Sequence, residues 1–184
     1  MSNELKNEQN SRQAFYDLVH ENLKAEFING EVIMHSPVME RHWRSCTKLS
    51  AYLTIFVAER NLGRVGTEKV MIRLTRNDYE PDIVFFSTPK SQHFTPTQWL
   101  FPAPDLVVEI LSDSTRERDY TIKMANYAAH NIPEYWIIDP DLETVEQYFI
   151  KDNEYYLHQK LAQQGTLKAQ TIQGFEIEIS KIFT

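Results

Sequence analysis

Hydrophobic and polar positions along the chain change their period several times, and the first clear change marks a hairpin. Two short segments with apolar positions, residues 24–28 and 31–34, flank the pair Asn29-Gly30. Asn-Gly best tolerates the two positive φ angles that a type I′ turn requires. We therefore predict a β-hairpin over these segments.

Helical spacing governs two other parts of the N-terminal half. Between residues 38 and 61, apolar side chains recur at steps of three and four positions, which predicts an amphipathic helix that Gly63 would terminate. Residues 11–20 predict a shorter amphipathic helix. Residues 1–10 are polar and acidic, and we expect them to form a flexible N-terminus.

Two continuous apolar runs, residues 83–86 and 106–111, are typical of strands that are covered on both faces. A helical pattern follows as far as residue 130, and Ser114-Thr115-Arg116-Glu117 at its start has the form of a capping box. A third apolar run lies at residues 135–138. The order strand, strand, helix, strand predicts an α/β fold in which helices flank a mixed sheet.

The remaining segments complete a single predicted domain over residues 11–184. Residues 65–74 indicate a strand or hairpin arm, and residues 87–104, which contain four prolines, indicate an irregular connection. A second hairpin is predicted around Lys151-Asp152-Asn153. The mixed sheet would thus carry additional N- and C-terminal hairpins.

Length and composition fit this architecture. The chain has 184 residues, of which 42% are hydrophobic and 24% are charged, and this composition excludes disordered and fibrous classes. No apolar run is long enough to cross a bilayer, and the N-terminus lacks the pattern of a signal peptide, so we expect a cytoplasmic protein. The single cysteine, Cys46, excludes an internal disulfide and a cysteine-based zinc site.

The net charge of −7 argues against broad affinity for nucleic acid, because such affinity comes mainly from neutralising phosphates. It leaves room for a nuclease whose carboxylate site raises the acidic count. Basic residues cluster at Arg41, Arg44 and Lys48, and again at Arg116 and Arg118. The simplest interpretation of both clusters is a solvated helix face.

A charged residue interrupts the second apolar run. An unpaired carboxylate buried at Glu109 costs several kcal/mol, so it must be protonated, paired or bound to a metal. Asp82 lies at the start of the first apolar run, and the two carboxylates would converge if their strands are neighbours. Two carboxylates, completed by water and a phosphate oxygen, suit Mg²⁺ or Mn²⁺. The alternative is that Glu109 pairs with a buried Arg or Lys and has a structural role only.

Lys123 is the third candidate. It follows Asp119 by four positions in the predicted helix, so the two side chains share one face. A lysine there would reach back to a scissile phosphate or orient the attacking water. The simpler alternative is a surface ion pair between Asp119 and Lys123.

These residues belong to a longer pattern that resembles a known family. In chain order the pattern consists of Pro81-Asp82-Ile83, Val107-Val108-Glu109-Ile110-Leu111-Ser112, Ser114-Thr115-Arg116, Asp119, Lys123, Tyr127 and Pro133-Glu134-Tyr135-Trp136-Ile137-Ile138-Asp139-Pro140. It is similar to the Uma-two family of endonucleases, over residues 20–182. That family belongs to the restriction-endonuclease-like superfamily, whose signature is Pro-Asp followed by an acidic residue, any residue and a lysine.

The chain departs from that signature at one important position. The residue two positions after the acidic residue Glu109 is Leu111 instead of lysine. The resemblance implies a variant in which the lysine has moved to the following helix, where Lys123 is the matching residue. A smaller departure is Asp113, where many relatives carry proline.

Two residues nearer the N-terminus are weaker candidates for the site. Glu31 follows the first hairpin turn and is either a further carboxylate of the site or a solvated strand residue. His42 begins the long helix, where it would bind a phosphate, a metal or a carboxylate, or serve as a structural histidine. Tyr127 and Trp136 are expected in the core, and the other histidines lack metal-site spacing.

The residues and the resemblance together predict a metal-dependent endonuclease that hydrolyses phosphodiester bonds, with DNA as its partner. Asp82 and Glu109 would hold Mg²⁺ or Mn²⁺, and Lys123 would stabilise the transition state or position the nucleophile. The alternative is a catalytically inactive module that binds or regulates a partner, which the acidic net charge favours. No membrane association is expected, and the aromatic second hairpin would suit a homodimer.

Overall fold

The computed structural model describes residues 3–19 and 24–184. The helices are α1 (Asn3–Leu18), α2 (Glu40–Glu59), α3 (Thr88–Ser91), α4 (Arg116–Arg118), a π-helix (Asp119–Lys123), α5 (Met124–Ala129) and α6 (Ser180–Phe183). The strands are β1 (Ala25–Ile28), β2 (Glu31–Met34), β3 (Gly63–Thr67), β4 (Met71–Arg73), β5 (Asp78–Tyr79), β6 (Ile83–Ser87), β7 (Leu100–Phe101), β8 (Leu106–Ile110), β9 (Glu134–Asp139), β10 (Thr144–Lys151), β11 (Glu154–Ala162), β12 (Thr166–Lys168) and β13 (Glu176–Glu178).

A six-stranded mixed sheet in the order β11-β10-β9-β8-β6-β3 forms the centre of the fold. Strands β8 and β9 run parallel, and the other neighbouring pairs run antiparallel. The three predicted apolar strands β6, β8 and β9 are therefore adjacent, as the α/β interpretation requires. The second predicted hairpin, β10 and β11, extends this sheet and turns at Asp152 (φ 52°) and Asn153 (φ 63°).

Alternate side chains of β8 face two different helical layers. Val108 packs in a core cluster with Leu49 and Leu53 of α2. Val107 packs in a second cluster with Tyr127 of α5. Since side chains along a strand alternate between its faces, Glu109 shares the face of Val107 and lies beneath the helical segment that carries Lys123.

A second sheet in the order β2-β1-β5-β4-β7 contains the predicted N-terminal hairpin. Its turn residues Asn29 and Gly30 have φ angles of 51° and 88°, which confirms the type I′ geometry. Strand β1 is buried along its whole length and pairs with β5 through Phe27 and Asp78. This pairing brings the hairpin close to the start of β6.

Several predicted boundaries differ from the structure. Helix α1 begins at Asn3 instead of residue 11, because five of residues 3–10 are the good helix formers Glu, Leu, Lys and Gln. Residue 20, the predicted end, lies outside the described residues. Helix α4 has Thr115 as its N-cap without a side-chain capping hydrogen bond, so the capping-box prediction is wrong. Residues 65–74 divide between β3 and β4, which belong to different sheets.

Gly63 has a different role from the predicted helix stop. Helix α2 already ends at Glu59, and Asn61 adopts the left-handed conformation at φ 52°. Gly63 begins β3, where a Cβ atom would lie 2.0 Å from the Phe86 carbonyl oxygen. Within the described residues, no helix combines the length and apolar character that a membrane span requires.

Candidate active site

Asp82 and Glu109 lie side by side on neighbouring central strands. Ile83 pairs with Val108 in antiparallel register, so Asp82 and Glu109 are the next opposed pair along the two chains. Opposed residues of an antiparallel pair project from the same face of the sheet. The Ile110 amide, next to Glu109 in β8, donates a 2.8 Å hydrogen bond to the side-chain oxygen Oδ2 of Asp82 and so holds the Asp82 carboxylate against β8. Both carboxylates are buried, with 7% and 3% of their surface exposed.

The Glu109 carboxylate is held from one side by two groups of the overlying helix. Lys123 Nζ lies 3.1 Å from Oε1, and the Tyr127 hydroxyl donates a 2.7 Å hydrogen bond to the same oxygen. In the part of the chain that the structure describes, no hydrogen bond reaches Oε2. The carboxylate is therefore oriented by the protein while one oxygen keeps its capacity to bind a ligand.

Lys123 is buried and contacts several carboxylates. Its Nζ lies 3.1 Å from Glu26 Oε1, 3.1 Å from Glu109 Oε1 and 3.2 Å from Asp119 Oδ1. The Asp119–Lys123 pair has the predicted spacing, but it is buried in the fold and is not a surface pair. Both residues belong to the π-helix, a wide turn that often occurs at functional sites.

Asp82 is held by groups from three directions. Oδ2 accepts the Ile110 amide and lies 3.3 Å from His42 Nε2, and Lys24 Nζ lies 3.7 Å from Oδ1. His42, one of the weaker sequence candidates, is thus placed at the site. It comes from the first turn of α2, which approaches the sheet near the start of β6.

Glu31, the other weaker candidate, is not brought to the site. It is exposed in β2, where it pairs with Ile28 next to the hairpin turn. The register of the hairpin instead places Glu26, which is fully buried, against Lys123. A glutamate within the short apolar segment of β1 was the available signal for Glu26, because it has the same character as Glu109 within β8.

Two further residues of the site were missed by sequence reasoning. Tyr127, expected in the core, is buried there but also donates to Glu109. Glu80 is 4% exposed, and its Oε2 accepts a 3.0 Å hydrogen bond from the Ala25 amide. Trp136 is a core residue as predicted.

A cavity of about 230 Å³ opens over these groups. Its acidic wall contains Glu80, Asp82 and Glu109, and Lys123 also lines it. A different wall is formed by the segment that follows β8, and it carries hydroxyl groups and Arg118. The cavity thus has chemically distinct sides, one acidic and one that can donate hydrogen bonds.

The electrostatics indicate an excess of negative charge in this cavity. Burial, together with the charges of Asp119, Asp82 and Glu26, raises the pKa of Glu109 to about 8 in spite of the opposing effect of Lys123. Burial likewise raises the pKa of Glu80 to about 7. Burial alone would raise the pKa of Glu26, but Lys123 and His35 reverse this effect and lower it to about 2.

The donor set fits a hard divalent cation. Oxygen ligands dominate the acidic wall, and a cation there would offset the burial and the neighbouring negative charges that raise the pKa of Glu109. Among the residues described, no three His, Cys, Asp or Glu side chains form a metal cage by themselves. A cation would therefore take two protein carboxylates and fill its other positions with water and substrate oxygens, as Mg²⁺ usually does.

Comparisons with known proteins agree with this fold. A family model whose description is "Putative restriction endonuclease", Uma2, matches residues 12–180. The chain is similar to a solved structure from Anabaena variabilis ATCC 29413, described as "a putative nuclease belonging to DUF820", with 19% sequence identity and a TM-score of 0.77. The likeness covers 92% of this chain and 94% of that chain, and it confirms the predicted fold. The comparison with curated proteins gave no match.

The family match includes all of the motifs on which the resemblance rests. It begins before the N-terminal hairpin and ends after β13, so it contains both the sheet and the helices that position Asp82, Glu109 and Lys123. Because the family model matches residues 12–180, most of the chain, this protein belongs to the Uma2 family.

Proposed function

We propose that this protein is a metal-dependent nuclease that hydrolyses phosphodiester bonds in DNA. The observation that carries the proposal is the contact between Lys123 Nζ and Glu109 Oε1 at 3.1 Å, beside Asp82 on the neighbouring strand. Two carboxylates and a lysine that converge in one cavity match the chemistry that the superfamily signature requires, although the lysine comes from a different element.

Asp82 and Glu109 would hold Mg²⁺ or Mn²⁺. When bound, such an ion polarises the phosphate and lowers the pKa of the attacking water. The protein prepares both carboxylates for this role: the Ile110 amide and His42 fix Oδ2 of Asp82, and Tyr127 fixes Oε1 of Glu109. The oxygens left for the ion are Oε2 of Glu109 and Oδ1 of Asp82, whose contact with Lys24 Nζ is longer at 3.7 Å.

Lys123 would supply positive charge next to the reacting phosphate. Its ammonium group is held between Glu26, Glu109 and Asp119, and these carboxylates raise its pKa well above the ordinary value although burial opposes the shift. The group therefore stays charged over the whole range in which an enzyme works. A fixed cation in a buried site stabilises developing negative charge without reorganisation.

The test is a plasmid-nicking assay with the purified chain in Mg²⁺, in Mn²⁺ and in EDTA. We expect cleavage with either metal, none in EDTA, and none for Asp82→Asn or Glu109→Gln. Binding of Mn²⁺ should raise the melting temperature of the wild type and not that of the two variants. Absence of both effects in the wild type would refute the proposal.

A catalytically inactive module with the same fold is the second candidate. The observation that favours it is that Lys123 already pairs with three carboxylates, so the cluster is consistent with a buried structural network. Such a module would fold and bind its partner without any metal response. Cytoplasmic location and homodimer formation stay predictions; gel filtration with light scattering would test the dimer.

A further inference from the structure

Arg118 differs from the other cationic residues around the cavity. It lines the same cavity as Asp82 and Glu109, and its Nε atom is buried without a hydrogen-bond partner. Within the described residues it forms no ion pair, whereas Lys123 pairs with carboxylates and Arg116, two positions earlier, pairs with Asp139 at 2.8 Å. A guanidinium group presents five donors and always carries its charge, so a half-buried one without partners is prepared for an anionic ligand.

Hydroxyl groups lie next to Arg118 on the same wall. Ser112 Oγ lies 3.2 Å from Ser114 Oγ and 3.0 Å from Thr115 Oγ1, and all three residues line the cavity. Hydroxyl groups donate readily to phosphate oxygens and rotate to suit the acceptor. The combination of a guanidinium group and several hydroxyls is typical of phosphate recognition.

This wall is separate from the groups that would perform the chemistry. The acidic wall is formed by Glu80 and Asp82, which precede β6, and by Glu109 of β8, whereas the wall of Arg118 is formed by the segment of residues 112–118. The ammonium of Lys123 is held between Glu26, Glu109 and Asp119, so Arg118, which has no ion pair among the described residues, is the cation that can take a further anionic group. With the cleaved phosphate at Lys123, a ligand that also contacts Arg118 would present a second phosphate there.

We propose that Arg118, together with Ser112 and Thr115, binds a backbone phosphate of the nucleic-acid strand next to the phosphate that is cleaved. The proposal rests on the proposed nuclease function and specifies its substrate: a strand with at least two consecutive phosphates. Arg118 is thus a positioning residue. It sets where the strand lies and does not touch the reacting atoms.

The matched variants are Arg118→Gln and Arg116→Gln, which remove the same charge two positions apart. Arg118→Lys keeps the charge but loses the planar fork. Thermal melts first establish that each variant folds. Binding of a fluorescent single-stranded DNA 12-mer is then measured by anisotropy in EDTA over a series of salt concentrations, with inorganic phosphate as a competitor.

We expect Arg118→Gln to weaken DNA binding about ten-fold, since one phosphate contact is lost. For the same reason, the slope of the logarithm of the binding constant against the logarithm of the salt concentration should become shallower by about 1. Arg116→Gln should bind within a factor of about two of the wild type, and Arg118→Lys should recover part of the affinity. Equal losses in the two glutamine variants would indicate general electrostatics and overturn the proposal, as would unchanged binding in Arg118→Gln.

Cleavage separates this proposal from the proposed nuclease function. Arg118→Gln should cleave the 12-mer at least several-fold more slowly than the wild type, yet cleave bis(p-nitrophenyl) phosphate, which has one phosphate, at the wild-type rate. If the wild type cleaves neither substrate, the proposed nuclease function is refuted. The phosphate site would still stand in that case, provided that Arg118→Gln binds DNA more weakly than the wild type. Equal loss on both substrates would contradict the positioning role.

Discussion

Lys123 Nζ lies 3.1 Å from Glu109 Oε1 although 14 positions separate the two residues. In the superfamily signature the lysine follows two positions after the acidic residue, where this chain has Leu111. Leu111 is buried in the core beneath α5 and cannot supply charge. The helix packed over that face supplies the lysine instead, and its π-helical turn carries both Asp119 and Lys123.

Replacing Lys123 by methionine should destabilise the metal-free protein strongly. The substitution leaves Glu26, Glu109 and Asp119 buried without their shared cation, and breaking a buried pair in this way costs about 3 to 5 kcal/mol. The free energy of unfolding is measured by urea denaturation in EDTA. Lys168→Met is the control, because its pair with Glu176 is exposed and should contribute less than about 1 kcal/mol. Equal effects of the two substitutions would contradict this prediction.

Glu109→Gln should behave differently from Lys123→Met. After this change Lys123 keeps Glu26 and Asp119 as partners, and the cavity loses a carboxyl group whose charged form is disfavoured by burial and by the neighbouring acids. We expect the free energy of unfolding in EDTA to be unchanged or raised, while metal-dependent nicking is lost. If Glu109 is mainly a structural partner of Lys123, the variant will instead lose several kcal/mol of stability.

The stability of the metal-free protein should fall as the pH rises from 5 to 8. The pKa of Glu109 is raised from 4.5 to about 8 by burial, so between these values the folded protein holds a proton that the unfolded chain has released. Proton release on unfolding makes the free energy of unfolding decrease with pH across that window. Glu80, whose pKa is raised to about 7, contributes with the same sign.

The measurement is a series of thermal melts in EDTA at pH 5, 6.5 and 8. The melting temperature should change less with pH in Glu109→Gln, because the side chain at this position can no longer titrate. Glu26 does not contribute here because its pKa is lowered to about 2, so its effect on stability appears only below pH 4.5. A melting temperature that rises over this range in the wild type, or an unchanged slope in the variant, would show that Glu109 is ionised in the folded protein.

His42→Gln should reduce metal-dependent cleavage about ten-fold or more without unfolding the protein. Its Nε2 lies 3.3 Å from Asp82 Oδ2 and helps to orient that carboxylate, and the loss of such a supporting contact typically costs 10- to 100-fold in metal affinity or activity. Glu31→Gln is the matched control. Because Glu31 is exposed and outside the cavity, its removal should leave cleavage unchanged and stability within about 0.5 kcal/mol. Loss of cleavage in Glu31→Gln would instead indicate that Glu31 takes part in the active site.

The sequence by itself determined the parts of the fold that depend on local preference. The φ angles at Asn29-Gly30 and at Asp152-Asn153 follow from turn chemistry within two residues. The buried strands β6, β8 and β9 follow from continuous apolar runs, and an acid within such a run identifies Glu109. These signals lie within a few neighbouring positions, so no knowledge of distant contacts is needed to interpret them.

The tertiary structure alone decided which other side chains meet Glu109. Glu26 joins the site and Glu31 does not, because the pairing of β1 with β5 buries one end of the hairpin and leaves its turn in solvent. Tyr127 and Lys123 reach the same carboxylate only because their helical segment packs across the face of β8 that carries it. Burial of a charge depends on which distant elements cover it, and that information is spread over the whole chain.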